Sequence, residues 1–245
     1  MRVGIYGGGF KPFTTGHYSK LALAAEENDL VILFYAVAER KKGSEYVYDR
    51  EMAEEVYNLI APAIERELPK VKVVKGSPTP IVLTFEAIAD WLGVSTTKFF
   101  NWSKLGISLK DIDHITVYGE EESLSDFTKY IGTDKQIKYF GDAIETGKLT
   151  FDPGLSDAGA PRAVGAYSRR HTDIDPAEIA SRAAVRGSEV RSALMGGDPD
   201  AVDRFLPPIL NPGERANLKR VLMRGVPKAT NESLLRAMIR GYLVK

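Results

Sequence analysis

The chain has 245 residues, 44% of them hydrophobic, and its 33 Lys+Arg are balanced by 33 Asp+Glu. This length and composition suit a globular protein with a sizeable core, and zero net charge gives no global attraction to nucleic acid or an anionic membrane. The absence of cysteine excludes disulfides and thiolate metal sites and accords with a reducing cytoplasm, while no apolar run reaches bilayer length, so no membrane span or signal peptide is expected.

The apolar run over residues 2–6 predicts a strand, followed by the turn Gly7-Gly8-Gly9 and a helix over 16–27 with Leu21, Leu23, Ala24 and Ala25 on its apolar side. Residues 30–36 are almost continuously apolar, the mark of a strand buried on both faces. Asp49 can cap a helix reaching about residue 67, in which Met52, Val56, Leu59 and Ile60 recur at helical spacing. A short strand over 71–74, a stiff loop over 76–80 and a helix over 83–92 stopped by Gly93 come next. A strand over 114–118 leads into Gly119; a helix over 124–131 and a strand over 136–140 are expected after it. Residues 152–163, rich in Gly, Pro and Asp, read as an insertion able to act as a flap. A last strand over 163–168 and a short helix over 188–195 follow. Pro207-Pro208 and Asn211-Pro212-Gly213 then break the chain before two basic helices, about 214–224 and 232–243.

Alternating strands and helices predict an α/β protein: a Rossmann-like open parallel sheet with helices on both faces, over residues 1–210, plus a helical appendage over 211–245. Loops that follow parallel strands share one rim, where such sheets bind ligands. Segments 7–17, 39–42 and 119–122 are therefore expected together. The tail from 211 holds eight Lys/Arg against Glu214 and Glu232, leaving it at +6 and residues 1–210 at −6. It reads either as a solvated helical face or as a docking surface for a protein partner or a second subunit.

The turn and its helix carry the chemistry. Gly7, Gly8 and Gly9 lack Cβ and permit close approach, and backbone N–H groups at a helix start favour anions. Taken alone, the glycines fit a tight structural turn equally well. Their spacing matches neither the dinucleotide nor the P-loop pattern. Gly16-His17 adds an imidazole at the helix entrance. Far downstream, in Arg186-Gly187-Ser188-Glu189-Val190-Arg191, Ser188 can cap a helix and Arg191 can chelate phosphate oxygens in a bidentate fork. By itself this second stretch reads equally as an ordinary cap with a surface arginine.

The run from Gly8 and Gly9 through Phe10, Lys11, Pro12, Phe13, Thr14 and Thr15 to Gly16-His17 resembles the first signature of the nucleotidyltransferase superfamily, H/T-x-G-H. Gly187-Ser188-Glu189-Val190-Arg191, about 170 residues later, is similar to its late motif. Thr14 stands where many members carry a first histidine. The resemblance implies transfer of a nucleotidyl group to a phosphate-bearing small molecule with release of pyrophosphate. His17 and Thr14 would stabilise charge at the α-phosphorus, Lys11 would meet the triphosphate or the acceptor phosphate, and Ser188 and Arg191 would hold the β- and γ-phosphates. Gly8, Gly9, Phe10 and Gly16 would line the nucleotide. Gly119 and Glu120 would approach the nucleoside, with Glu120 where an Asp is frequent. Mg²⁺ would enter mainly through the triphosphate.

Phe10-Lys11-Pro12-Phe13 together with the late motif looks like the archaeal nicotinamide-mononucleotide adenylyltransferases, which favours ATP. The superfamily also has phage-encoded members, which would place the protein in a host cytoplasm. A cytidylyltransferase using CTP and a polyol- or amino-alcohol phosphate is the rival of the same class. A non-catalytic binding or assembly protein retaining the fold is the rival of another.

Arg40, Lys41 and Lys42 could bind the acceptor phosphate or form a solvated loop. Arg169 and Arg170 are equally ambiguous. Glu121 and Glu122 are expected to face solvent and His171 to be exposed, whereas His114, Trp91 and Trp102 are expected to be structural.

Overall fold

The computed structural model describes residues 1–39, 46–76, 79–94, 99–119, 134–152 and 161–227. Arg40, Lys41, Lys42, Glu120, Glu121 and Glu122, the expected helices over 124–131 and 232–243 and most of the expected flap lie outside the described residues.

Strand β1 (Arg2–Gly8) is central and is flanked by β2 (Leu30–Ala36) and β4 (His114–Tyr118). With β3 (Val71–Gly76) and β5 (Leu149–Asp152) they form one sheet in the order β3-β2-β1-β4-β5. Every pairing is parallel, for example Ile5↔Ile32 and Ile5↔Val117. The strand order reverses between β1 and β4, the position where open α/β sheets leave a crevice beyond the carboxyl ends of their strands.

Side chains alternate across the sheet. Val3, Ile5, Ile32, Phe34, Ile115 and Val117 point to one face, under α3 (Pro80–Trp91) and α4 (Asp134–Glu145). Tyr6, Leu33, Tyr35 and Tyr118 belong to the other core, with α1 (Thr15–Glu27) and α2 (Arg50–Glu67). Helices thus cover both faces, and the fold is the expected Rossmann-like one. Caps begin these helices where the sequence offers them: Asp49 Oδ1 accepts from Met52 N–H at 2.7 Å, and Thr79 Oγ1 from Val82 N–H at 3.3 Å. The Thr79 cap and Pro80 start α3 three residues before the expected position.

Two expected strands are helices. Residues 136–140 alternate polar and apolar locally, but they lie in α4, whose buried Phe140 and Ala143 are three apart. Residues 163–168 lie in α5 (Pro161–Arg170), whose buried Ala163, Ala166 and Tyr167 keep the i, i+3, i+4 spacing of one helical face. The fifth strand is instead Leu149–Asp152, a four-residue edge strand too short to leave a periodic signal.

After α5 come α6 (Pro176–Ala183), α7 (Gly187–Gly196), α8 (Pro199–Phe205) and α9 (Pro212–Met223). Leu218, Val221 and Leu222 of α9 join the same core as α1 and α2, so the boundary expected at 210 marks no break in the packing. Glu214, Arg215, Lys219 and Arg224 of the tail bind to neighbouring elements of the body. Arg215 donates to the Asp203 and Pro207 carbonyl oxygens at 2.7 and 3.2 Å. Lys219 pairs with Asp203 at 2.6 Å, Arg224 with Glu55 at 2.7 Å, and Glu214 with Arg66 at 2.9 Å.

His114 and both tryptophans are structural. His114 bridges the Gly147 carbonyl, Thr116 and Thr150, Trp91 Nε1–H donates to the Ile112 carbonyl at 3.2 Å and Trp102 Nε1–H to that of Ala87 at 2.9 Å. His171, expected to be exposed, is half-buried with Nε2 at 3.1 Å from the Tyr18 hydroxyl. Arg169 lies on the surface, bound to Glu26 at 2.5 Å.

Candidate functional site

The two motifs meet at the rim. β1 ends at Gly8, and α1 begins after the N-cap Thr14. The Thr14 hydroxyl donates to the Val185 carbonyl oxygen at 2.9 Å, 171 residues away, and accepts from His17 N–H at 3.4 Å. Thr14 is fully buried. Its single hydroxyl hydrogen is committed to the chain, so the expected direct donation to phosphate is replaced by capping and anchoring.

His17 Nδ1 accepts from Thr14 N–H at 3.0 Å. This assigns the lone pair to Nδ1 and the hydrogen of the neutral ring to Nε2. The ring is half-buried against Phe10 and Phe13, with centroids 4.9 and 5.5 Å away. Burial, aided by the nearby Lys20 charge, pushes its pKa down to about 3. At neutral pH His17 is therefore an oriented, uncharged N–H donor.

The glycines divide by what occupies their missing side chains. A Cβ at Gly8 would lie 2.5 Å from the Phe10 ring. A Cβ at Gly16 would run into the Val185 carbonyl oxygen and come within 3.0 Å of that of Ala183. Both glycines thus serve close packing of the chain on itself. Gly9 is exposed, and a Cβ there would meet only Lys11 Cε, at 4.0 Å. Of the three, it alone opens on space that a ligand can use. Phe10, expected to line the nucleotide, is 3% exposed and packs on Tyr6, Phe13 and Tyr35. It supports the His17 ring from below.

Arg191, 9% exposed, donates through Nη1 to the Lys11 carbonyl oxygen. Gly187 makes room for this meeting, since a Cβ there would stand 2.9 Å from the Lys11 oxygen and 3.3 Å from Arg191 Nη1. Lys11 Nζ donates to the Glu39 carbonyl oxygen at 3.1 Å, tying the turn to the segment after β2. Ser188 is exposed at the second position of α7. It is not the cap: Arg186 is, and Glu189 Oε2 closes the turn by accepting from Arg186 N–H at 2.6 Å. Gly119 leaves β4 half-buried, its N–H 3.5 Å from the Asp152 carbonyl oxygen.

The structure thus joins Lys11, Thr14, Gly16, His17, Gly187 and Arg191 in one contact network at the carboxyl end of β1. Val185 was not legible as a partner, because a backbone carbonyl leaves no mark in sequence.

A separate polar cleft of about 450 Å³ lies between the end of α1 and strands β4 and β5. It is lined by Glu27, Thr116, Thr150, Asp152 and Arg162 among others, and holds none of the expected site residues. Among the described residues no group of three or more His, Asp or Glu stands ready to hold a metal ion, and no helix is long and apolar enough to cross a membrane. No family model matches this chain, and no curated protein sequence matches it.

Proposed function

We propose that the protein is a nucleotidyltransferase, joining a nucleoside triphosphate to a phosphate-bearing small molecule. The observation that carries this reading is the meeting of the two motifs: Thr14 on Val185 and Arg191 on Lys11, beside a neutral His17 whose Nε2–H is free of the capping interaction at Nδ1. The preferred substrates are ATP and nicotinamide mononucleotide, giving NAD.

In this reaction an oxygen of the acceptor phosphate forms a bond to the α-phosphorus. The bond from that phosphorus to the α,β-bridging oxygen breaks, and pyrophosphate leaves with the electron pair. Such chemistry needs alignment and charge stabilisation rather than a covalent intermediate. The His17 Nε2–H would donate to an oxygen of the α-phosphate as negative charge builds there. Thr14 would act at one remove by fixing the imidazole, and Gly9 would let the triphosphate lie close to the backbone. The exposed Ser188 hydroxyl and the start of α7 would meet the β- and γ-phosphates, with Arg191 behind them. These groups donate hydrogen bonds and include no carboxylate, so they fit a triphosphate that brings its own Mg²⁺. The ion would contribute neutralisation of phosphate charge.

The test is pyrophosphate release over a grid of ATP and CTP against nicotinamide mononucleotide, a polyol phosphate and an amino-alcohol phosphate. NAD formation without CTP turnover supports the preferred substrates. Turnover of CTP alone moves the assignment to a cytidylyltransferase. No release from any pair by the folded protein moves it to a non-catalytic binding or assembly protein. In an active enzyme His17→Ala should cut turnover by about 10²–10³-fold.

A further inference from the structure

The Phe10 ring occupies the space that a side chain at residue 8 would take. A Cβ at Gly8 would stand 2.5 Å from Phe10 Cε1 and 2.6 Å from Cζ, closer than packed carbon atoms approach. The ring is hemmed by Tyr6, Phe13 and Tyr35, with centroids 5.4, 5.1 and 5.1 Å away, and all three are buried. Its fourth ring neighbour is His17, at 4.9 Å and an interplanar angle of 72°, the edge-to-face arrangement that aromatic rings favour. Of these four rings His17 alone is half-buried, so it is the one with room to yield. The imidazole is thus held at three points: Nδ1 by Thr14 N–H at 3.0 Å, and the ring by Phe10 and by Phe13, the latter at 5.5 Å. The hydrogen bond fixes which nitrogen faces the chain. The two rings fix the tilt of the imidazole plane, and with it the direction of Nε2–H.

We propose that Gly8 acts on the reaction through Phe10: the absent side chain seats the ring against the imidazole, and the ring aims the His17 Nε2–H at the α-phosphate. Phe10 is the positioning residue and Gly8 is the residue that admits it; neither needs to touch the nucleotide. A methyl group at residue 8 drives the ring into His17, because the other three neighbours are closed, and turns the donor away. A glycine kept only for close approach of phosphate to backbone would matter with or without the ring. Gly8 should matter only with it. This inference rests on the reading of His17 as the donor to the reacting phosphate.

The test uses the full chain and the nucleotide and acceptor pair that gives the fastest pyrophosphate release. Phe10→Leu should lower kcat and kcat/KM together, by up to about 10²-fold, the cost of a misaimed contact made only in the transition state, and leave KM nearly unchanged. Gly8→Ala should act in the same direction. In the Phe10→Leu background Gly8→Ala should add no further loss, since the smaller side chain leaves room for the methyl group. A second readout needs no turnover: Gly8→Ala should move the His17 ring resonances, identified by their absence in His17→Gln, but should leave them in place in the Phe10→Leu background. Additive losses in the double variant, a change in KM alone, or His17 resonances unmoved by Gly8→Ala would overturn the inference. If no pair releases pyrophosphate, the reading of His17 as donor falls, and the seating of Phe10 is then judged on the resonances alone. Should Phe10→Leu fail to fold, Phe10→Met, whose flexible chain also yields to a methyl group, carries both measurements.

Discussion

Thr14 Oγ1 donates to the Val185 carbonyl oxygen at 2.9 Å, and this bond links the start of α1 to the segment that begins α7. The same oxygen caps α1 at His17 N–H. Thr14→Ala removes a cap and leaves a buried carbonyl without its donor, so a loss of about 2 kcal/mol is expected. Thr14→Ser keeps both bonds and should recover most of it. Urea unfolding of the two variants checks this, and equal midpoints would show that the hydroxyl is not the anchor.

Gly16 packs directly on the carbonyls of Val185 and Ala183. The obstacle is backbone, which cannot swing aside as a side chain does. Gly16→Ala should destabilise the fold by about 2–3 kcal/mol through overpacking alone. Thermal unfolding measures it, and an unchanged midpoint would contradict the close approach.

His17 supplies a pH dependence whose sign is fixed by its buried neutral state. Unfolded, the imidazole takes up its proton near 6.5; folded, only near 3. Between those values the unfolded chain binds more protons, so the contribution of His17 is complete above about pH 6.5 and is lost as pH falls toward 3. The slope cannot exceed about 1.4 kcal/mol per pH unit. Denaturant unfolding from pH 7 to 4 should therefore be steeper in pH for the wild type than for His17→Gln. The His17 ring resonances should stay flat between pH 5 and 8, and a midpoint near 6.5 there would refute the lowered pKa.

Substitution of Ser188 tests the proposed phosphate contact separately from stability. Its side chain is exposed and does not cap α7. Ser188→Ala should leave the unfolding midpoint unchanged while weakening tripolyphosphate binding about tenfold or more, the scale of one hydrogen bond to a charged group. A fall in stability with unchanged binding would assign the hydroxyl to the fold instead.

The central strands were legible as near-continuous apolar runs buried on both faces, and the helices between them because their buried faces follow a period of 3.6 residues. The expected strand over 136–140 failed because five residues of alternation fit either period. Helical packing of Phe140 and Ala143 decided it. At the site, the residue types at Thr14, His17, Ser188 and Arg191 marked two candidate motifs. Their individual parts were less legible. Phe10 proved to be core, Thr14 proved to be an anchor, and the cap of α7 proved to be Arg186.

By itself, the sequence determined the fold class, the place of the glycine turn after β1 and the two stretches rich in phosphate-compatible groups. These are local properties, written in periodicity and spacing. Only the tertiary structure decided that Gly16 and Gly187 serve chain-on-chain contact while Gly9 opens outward, and that His17 is neutral with its hydrogen on Nε2. Those outcomes depend on backbone carbonyls and on burial brought together from positions as far as 180 residues apart. A carbonyl has no side chain to betray its role, and desolvation exists only once the chain has closed around the group it shifts.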